Sequence, residues 1–278
     1  MKKCQVDIPV PDLNSVTEGI LFLPGNGESR ENESVSYPAY LHIPGTDFLR
    51  GYEPDEDDGI CEDICRRLGA VVFMPLWKGG VQAAFPSAHE QCYAAALWFF
   101  ARANEYGVDA AHVTVGGSGA GGNLAAGLVL RAKAAGEFTS SALVLAAAPL
   151  DLRKAVLKKD SAEKLYIGRN SQYALSPYVS PVCSSDAMLT ELTSILMLLS
   201  DDEASAKEGA EFAVRMASNG TEVSAQRLPH HNVRNKGYAD FRKAAVAPVL
   251  QFLSEQNARI PGTGEFRSGA AGMAAVEG

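Results

Sequence analysis

The sequence predicts an α/β fold with a mainly parallel sheet covered by helices on both faces. Short, continuous apolar runs alternate with longer amphipathic stretches along most of the chain. Continuous rather than alternating apolar runs indicate strands buried on both faces, which is typical of parallel sheets. The predicted strands are residues 39–43, 70–74, 112–115, 142–146, 194–199 and 222–228, and the predicted helices are residues 58–68, 87–106, 121–135, 205–218 and 238–255.

The length and composition indicate one globular domain. The 278 residues suit a single α/β domain with a sizeable core, and 46% apolar with 21% charged residues is a globular balance. We assign residues 1–260 to this domain. Residues 152–190 are polar and rich in turn formers, which predicts an insertion over the site or a long connection. Residues 261–278 are rich in Gly and Ala, and we expect a disordered tail there.

The charge and the apolar pattern exclude several classes of partner. A formal net charge of −8 argues against nucleic acid or an anionic membrane as the main partner, because both reward clustered Lys and Arg. No apolar run is long enough to cross a bilayer, and the charged start of the chain lacks the apolar stretch of a signal peptide. We therefore expect a soluble, cytoplasmic protein. The five cysteines form no metal-binding pattern, which favours reduced thiols.

The most informative segment, residues 107–125, combines a strand, a glycine-rich turn and the start of a helix. Glycines in such a turn permit positive φ angles and a close approach of strand and helix. The N-terminus of the helix directs backbone N–H groups and its dipole toward whatever lies above the turn. The pattern predicts a site at the carboxyl ends of the parallel strands.

This segment resembles the nucleophile elbow of α/β-hydrolases, and it is most similar to the hormone-sensitive-lipase family, which includes arylesterases and acetyl esterases. The family run is typically Val-Ala-Gly-Asp-Ser-Ala-Gly-Gly-Asn-Leu-Ala, and residues 115–125 match it without a gap. Ser118 then falls on the Asp, and Gly119 falls on the nucleophilic serine. An alternative register, with Ser118 as the nucleophile, requires a gap and loses the glycine two residues later.

The resemblance extends over residues 38–252 and implies an oxyanion hole. The family's His-Gly-Gly-Gly loop corresponds to His42, Ile43, Pro44 and Gly45. Oxyanion donors would come from the N–H groups of Gly45 and Ala120, while proline at position 44 has no N–H to donate. At a strand end, His42 is expected to brace the loop rather than to catalyse.

The resemblance also implies a base and an acid that orients it. His231 follows the last predicted strand, where the histidine of a catalytic triad belongs, and His230 is the competing candidate. Motif alignment favours Glu203 as the acid, strand-end geometry allows Asp202, and Asp201 lies beside them. A carboxylate that holds an imidazole forms a general base even without a nucleophile.

These residues suggest a diverged family member that acts on a small carbonyl or acyl compound. Without a serine oxygen at position 119 no acyl-enzyme can form there, so dehydratase, isomerase or cyclase chemistry at a His–acid pair is the leading hypothesis. The alternatives are a carboxylic-ester hydrolase, including one inactivated by a serine-to-glycine change, and a non-catalytic binder of small molecules. No nucleotide, metal or flavin motif points to a cofactor. Because dimerisation is common in the family, a homodimer is the assembly that the resemblance implies.

Overall fold

The computed structural model of the chain describes residues 1–25, 36–45, 47–201, 203–228 and 236–259. Its central element is an eight-stranded sheet with the strand order β1-β2-β4-β3-β5-β6-β7-β8. The strands are β1 (Lys2–Val10), β2 (Ser15–Leu23), β3 (Tyr37–Ile43), β4 (Val71–Leu76), β5 (Val108–Ser118), β6 (Ala142–Ala146), β7 (Ser194–Leu199) and β8 (Val223–Arg227).

Helices cover both faces of this sheet. They are α1 (Pro54–Leu68), α2 (Ser87–Arg102), α3 (Ala120–Ala135), α4 (Ala162–Ile167), α5 (Asp186–Leu189), α6 (Glu203–Ser218) and α7 (Lys236–Ala258). Residues of α2, α3 and α6 share one hydrophobic core with one face of the sheet. Residues of α1 and α7 share a second core with the opposite face.

The strands from β3 onward are parallel, which confirms the prediction of a mainly parallel sheet. The apolar runs of β3, β4, β6 and β7 were readable because these strands are buried along most of their length, whereas β8 is mostly exposed at the edge of the sheet. In the sheet, β3 lies between β4 and β5. From the carboxyl end of β3 the chain continues to β4, and from the carboxyl end of β5 it continues to β6 on the other side, so the two connections diverge at neighbouring strand ends. Ligands of open parallel sheets bind at such a point.

An N-terminal antiparallel hairpin was not predicted. Strands β1 and β2 pair along nine positions, from Lys2 opposite Leu23 to Val10 opposite Ser15. β1 contains mostly exposed residues and a proline, so it lacks the continuous apolar run that identified the other strands. β2 joins the hairpin to the parallel strands by pairing antiparallel with β4.

Several element boundaries also differ from the prediction. Helix α1 begins at Pro54, four residues before the predicted start, because proline is favourable in the first helical turn and acidic residues there interact well with the helix dipole. Helix α2 ends at Arg102, and residues Ala103–Tyr106 form a separate 3-10 turn. Strand β5 begins at Val108 rather than at residue 112.

The predicted insertion, residues 152–190, consists of α4, α5 and three short 3-10 turns. Tyr166 of α4 is buried and stacks on Phe48 with ring centroids 4.0 Å apart, which ties the insertion to the loop that follows β3. The predicted tail, residues 261–278, lies outside the described residues. Within the described part of the chain, no helix is both long and apolar enough to span a bilayer.

Candidate active site

Gly119 forms the sharp turn between β5 and α3. Its backbone angles are φ 55° and ψ −126°. A residue with a side chain adopts this conformation only with backbone strain. The N–H of Gly119 donates to the carbonyl of Ala146 at the end of β6 (2.8 Å), and its carbonyl accepts the N–H of Asn123 (3.2 Å) in the first turn of α3. Position 119 therefore projects from a rigid bend at the carboxyl edge of the sheet.

The glycines on either side of this bend permit a close approach of two chain segments. A Cβ atom on Gly121 would lie 2.1 Å from the carbonyl oxygen of Ile43, and one on Gly117 would lie 2.5 Å from the same atom. The N–H of Gly121 also donates to the carbonyl of Gly45 (3.2 Å). The loop after β3 is thus held against the bend.

Both predicted oxyanion donors belong to these two adjoining segments. Ala120 is the first residue of α3, so its N–H has no acceptor within the helix. Gly45 has a φ angle of +122° in the loop after β3. The loop is fixed from behind by Trp77, whose Nε1–H donates to the carbonyl of Pro44 (2.7 Å).

His42 belongs to a buried charged cluster rather than to the open edge of the sheet. Only 2% of its surface is exposed, and its Nε2 atom lies 3.6 Å from Oδ1 of Asp57 on α1. Asp57 also forms an ion pair with Arg242 of α7, and its Oδ2 accepts the N–H of Glu53 (2.9 Å). This cluster joins β3 to the two helices of that face.

The ionisation of Asp57 follows from these contacts. Burial opposes the charged form, but the approach of His42 and the positive charge of Arg242 outweigh it, so the pKa of Asp57 lies below its usual value. The sequence reasoning missed both Asp57 and Arg242. The available signal was Arg242 itself, a charged residue on the otherwise apolar face of α7 that carries Phe241, Ala245 and Val249.

Ser118 is the last residue of β5, and its side chain faces α1 and α7. It is 5% exposed, and its Oγ atom has no hydrogen-bond partner among the described residues. Gly119 and Ser118 therefore differ in both backbone conformation and environment.

The predicted base and acids fall largely outside the described residues. His230, His231 and Asp202 are in gaps of the description, and Glu203 is described only as the first residue of α6. Asp201 is exposed, and its carbonyl accepts a hydrogen bond from Arg227. The two loops concerned start side by side, because Leu199 at the end of β7 pairs with Arg227 at the end of β8.

A second carboxylate that the sequence reasoning did not single out braces the neighbouring loop. Glu208 of α6 accepts the N–H groups of Leu150 (2.8 Å) and Asp151 (2.9 Å), just beyond β6. Burial raises the pKa of Glu208 despite these two hydrogen bonds. The available signal was that Glu208 belongs to residues 203–209, the segment from Glu203 to Gly209 that aligns with the family's acid motif.

No constellation in the described part of the chain is suited to a metal. Among those residues there is no group of three or more His, Cys, Asp or Glu side chains that could hold an ion. All five cysteines are free thiols, including the neighbouring pair on α1, Cys61 and Cys65.

The chain is similar to known proteins in its sequence. A family model described as the α/β hydrolase fold matches residues 40–232. A protein named as an α/β hydrolase, R526 of Acanthamoeba polyphaga mimivirus, is 22% identical over 69% of this chain, and esterase LipI of Mycobacterium tuberculosis is 29% identical over 36%. This chain spans 59% of the first relative and 31% of the second.

Solved structures share the fold. The carboxyl esterase 2 of the mycorrhizal fungus Tuber melanosporum superposes with a TM-score of 0.76 at 19% identity, covering 92% of this chain and 87% of the esterase.

Proposed function

Since the chain belongs to the α/β-hydrolase fold family, we propose that it is an enzyme for a small acyl or carbonyl compound in which Gly119 occupies the position of the nucleophile. The observation that carries this proposal is the backbone of Gly119, with φ 55° and ψ −126° in a bend that Gly117 and Gly121 keep tight. A glycine there has no oxygen for a covalent acyl intermediate. The proposal therefore excludes ester hydrolysis through a nucleophilic serine at position 119.

The proposed chemistry is proton transfer at a carbon next to a carbonyl group. His231, oriented by Glu203 or Asp202, would remove the proton, and the electron pair of the C–H bond would form the enolate. The N–H groups of Gly45 and Ala120 would stabilise the enolate oxygen. The imidazolium would return the proton to another carbon in an isomerase, or to the leaving group as the bond to that group breaks in a dehydratase. In a cyclase the enolate carbon would attack a second carbonyl of the same molecule, and the alkoxide that forms would take the proton.

Ester hydrolysis is the second candidate, and the named esterases among the similar proteins favour it. It would require a nucleophile other than Gly119, and Ser118 is the nearest hydroxyl in the sequence. The burial of Ser118, on the side of the sheet that faces α1 and α7, argues against its role as a nucleophile. A non-catalytic binder is the third candidate, since a preserved pocket alone would suffice for it.

Deuterium exchange tests the proposal without knowledge of the natural substrate. In D2O, small ketones and acyl compounds that fit the site should lose their α-proton NMR signals in the presence of the protein. His231→Ala should reduce this exchange by about a hundredfold or more, as loss of a general base does. The matched control is His112→Ala, which removes a histidine that pairs with Asp109 at the partly exposed side of β5.

The same set of variants separates the alternatives. Undiminished exchange in His231→Ala would remove the base mechanism. Rapid hydrolysis of p-nitrophenyl acetate that is lost in Ser118→Ala would establish the esterase instead. A compound that binds tightly and undergoes neither exchange nor hydrolysis would identify a binder. For the proposed enzyme, Gly119→Ser should add at most weak esterase activity, because the oxyanion loop has lost the N–H donor at Pro44.

A further inference from the structure

Exposed aliphatic side chains collect on the insertion and on a segment that touches it. Leu157 is 84% exposed, Leu175 is 56% exposed, and Leu165 of α4 is also exposed. Val81, which is 81% exposed, lies in a 3-10 turn that packs against α4. Single exposed leucines are ordinary on a protein surface, but a group of them on adjoining elements marks an interaction surface.

The short elements that carry these side chains are fixed to one another. Lys164 of α4 donates a hydrogen bond through Nζ to the carbonyl of Val156 (3.0 Å) in the 3-10 turn that precedes α4. The N–H of Phe85 donates to the carbonyl of Tyr166 in α4 (2.7 Å). The ring of Phe85 also meets that of Tyr173, in the 3-10 turn that follows α4, with centroids 5.0 Å apart. The exposed aliphatic residues therefore belong to one packed unit.

The same stretch concentrates positive charge in an acidic protein. Residues 153–169 contain six Lys and Arg side chains but only two acidic ones, which gives the stretch a formal charge of +4. Because the whole chain has a net charge of −8, the other residues together carry −12. Salt screens charges beyond about 8–10 Å, so an approaching surface responds to this local excess rather than to the net charge.

Exposed basic side chains flank the most exposed leucine. Lys154, Lys158 and Lys159 lie within three residues of Leu157, and all three are exposed. The long apolar stem of a lysine can lie along an apolar neighbour while its ammonium group reaches outward. The leucine–lysine patch consists of Val81, Lys154, Leu157, Lys158, Lys159, Leu165, Arg169 and Leu175.

The residue types of this patch favour a lipid surface over a protein or a nucleic acid. Protein interfaces are enriched in aromatic residues and depleted in Lys, and single-stranded nucleic acids stack their bases on exposed aromatic rings. The three tyrosines of the insertion, Tyr166, Tyr173 and Tyr178, are instead buried or half-buried. Aliphatic side chains that enter the headgroup region, beside lysines that attract anionic headgroups, are the chemistry of peripheral membrane binding.

We propose that the leucine–lysine patch docks on the surface of a membrane that contains anionic lipids. Leu157 enters the boundary between headgroups and acyl chains, and the three lysines beside it contact the phosphates of the headgroups. This docking is peripheral, since the patch is built from short turns and one short helix. It stands whether or not the chemistry proposed at Gly119 takes place.

Flotation of the full chain with phospholipid vesicles tests the docking. The protein should bind vesicles of mixed phosphatidylcholine and phosphatidylglycerol at least about tenfold more tightly than vesicles of phosphatidylcholine alone. Salt at about 1 M, which shortens the screening length to about 3 Å, should release most of the bound protein. Equal binding to the two kinds of vesicle, or binding to neither, would overturn the proposal. Retention on heparin without vesicle binding would identify another polyanion as the partner and would overturn it too.

Charge reversal assigns the binding to the patch. Lys158→Glu together with Lys159→Glu should weaken binding to the anionic vesicles by about tenfold or more, because each lysine near such a surface contributes about fivefold. The matched control is Lys207→Glu together with Lys243→Glu, which changes the net charge equally at exposed positions of α6 and α7. The control should bind within about twofold of the wild type. Equal losses in the two double variants would show that only net charge matters and would overturn the proposal.

A fluorescent reporter tests the insertion of the leucine. With anionic vesicles, the added emission of Leu157→Trp should shift to shorter wavelength and be quenched by lipids brominated on their acyl chains. Val214→Trp is the control, because Val214 of α6 is 68% exposed but lies outside the patch. Its emission should not respond to the vesicles. No response from Leu157→Trp, or the same response from both variants, would contradict the proposed docking.

Discussion

At the scale of single residues, Asp57 has a buried carboxylate whose charge is compensated by its neighbours. Its side chain is fully buried against Arg242, which is only 4% exposed, and close to His42. Removing one partner of a buried ion pair leaves the other charge without compensation, which is far costlier than losing an exposed pair. The cluster therefore links β3 to α1 and α7 through one carboxylate.

Asp57→Asn should lower the free energy of unfolding by about 3 kcal/mol, because it leaves the Arg242 charge buried and unbalanced. Urea denaturation followed by circular dichroism measures the change. Glu62→Gln on the same helix is the control. It removes a more exposed ion pair with Arg66 and should cost about 0.5 kcal/mol or less. Equal losses for the two variants would show that Asp57 does not carry the cluster.

The sequence predicted the strand–turn–helix bend at Gly119 but not the cluster at Asp57, for a physical reason. The bend at Gly119 is local, since strand, glycines and helix follow one another within residues 107–125. The pairing of Asp57 with Arg242 joins positions 185 residues apart, and nothing in either segment specifies the other. An acidic residue in the first turns of a helix is ordinarily explained by the helix dipole, as the neighbours of Asp57 are.

At the scale of elements, the structure depends on how closely the loop after β3 approaches the start of α3. That approach brings the carbonyl of Ile43 over Gly117 and Gly121 and allows the hydrogen bond from Gly121 to Gly45. Any side chain on Gly121 must displace backbone atoms, which cannot move as a flexible side chain does. The geometry of both proposed oxyanion donors depends on this contact.

Gly121→Ala should therefore lower the free energy of unfolding by about 1–3 kcal/mol, the usual cost of overpacking. It should also impair any reaction at the bend, because the two donor segments move apart. Gly59→Ala is a control of opposite sign: a Cβ there meets nothing within 4 Å, and alanine stabilises a helix by about 0.5–1 kcal/mol. Denaturation of both variants under the same conditions measures the difference, and a stabilised Gly121→Ala would contradict the described contact.

The sequence predicted the elements that have a continuous apolar run or a helical pattern of apolar residues. The bounds of β6 and β7 agree with the predicted strands because both are short apolar runs between turns. Strand β1 escaped prediction because it lies at the margin of the sheet, where polar residues are tolerated. Strand β2 has a short apolar run, and its pairing with β1 and β4 makes it a strand. Tertiary context decides such strands more than their own composition does.

At the scale of the whole molecule, stability should depend on pH through His89. This histidine of α2 is buried, and its Nδ1 lies 3.3 Å from Arg131. Burial and the nearby positive charge of Arg131 lower the pKa of His89 to about 4. The unfolded chain binds a proton at this residue near pH 6.5, whereas the folded chain does so only near pH 4.

Above pH 6.5, His89 is neutral in both the folded and the unfolded chain and does not lower the free energy of unfolding. Between pH 6.5 and 4 the unfolded chain takes up the proton first, so the free energy of unfolding should fall by about 3 kcal/mol. His89→Gln, which keeps an acceptor for Arg131, should remove most of this slope. His112→Gln is the matched control and should retain the slope, because His89 is still present. Urea midpoints measured across this pH range test the expectation, and an unchanged slope in His89→Gln would refute it.

The N-terminal strand β1 has a consequence for how copies of the protein meet one another. Among the described strands it pairs with β2 alone, so a row of its backbone donors and acceptors lies along the margin of the sheet. Exposed Lys2, Lys3, Asp7 and Pro9 interrupt that row with charge and with a residue that has no N–H. Such features discourage strand-to-strand self-association. Strand β1 thus protects the sheet from aggregation at this edge. In a chain without β1, the more apolar β2 would be the edge strand and could pair with a strand of another copy.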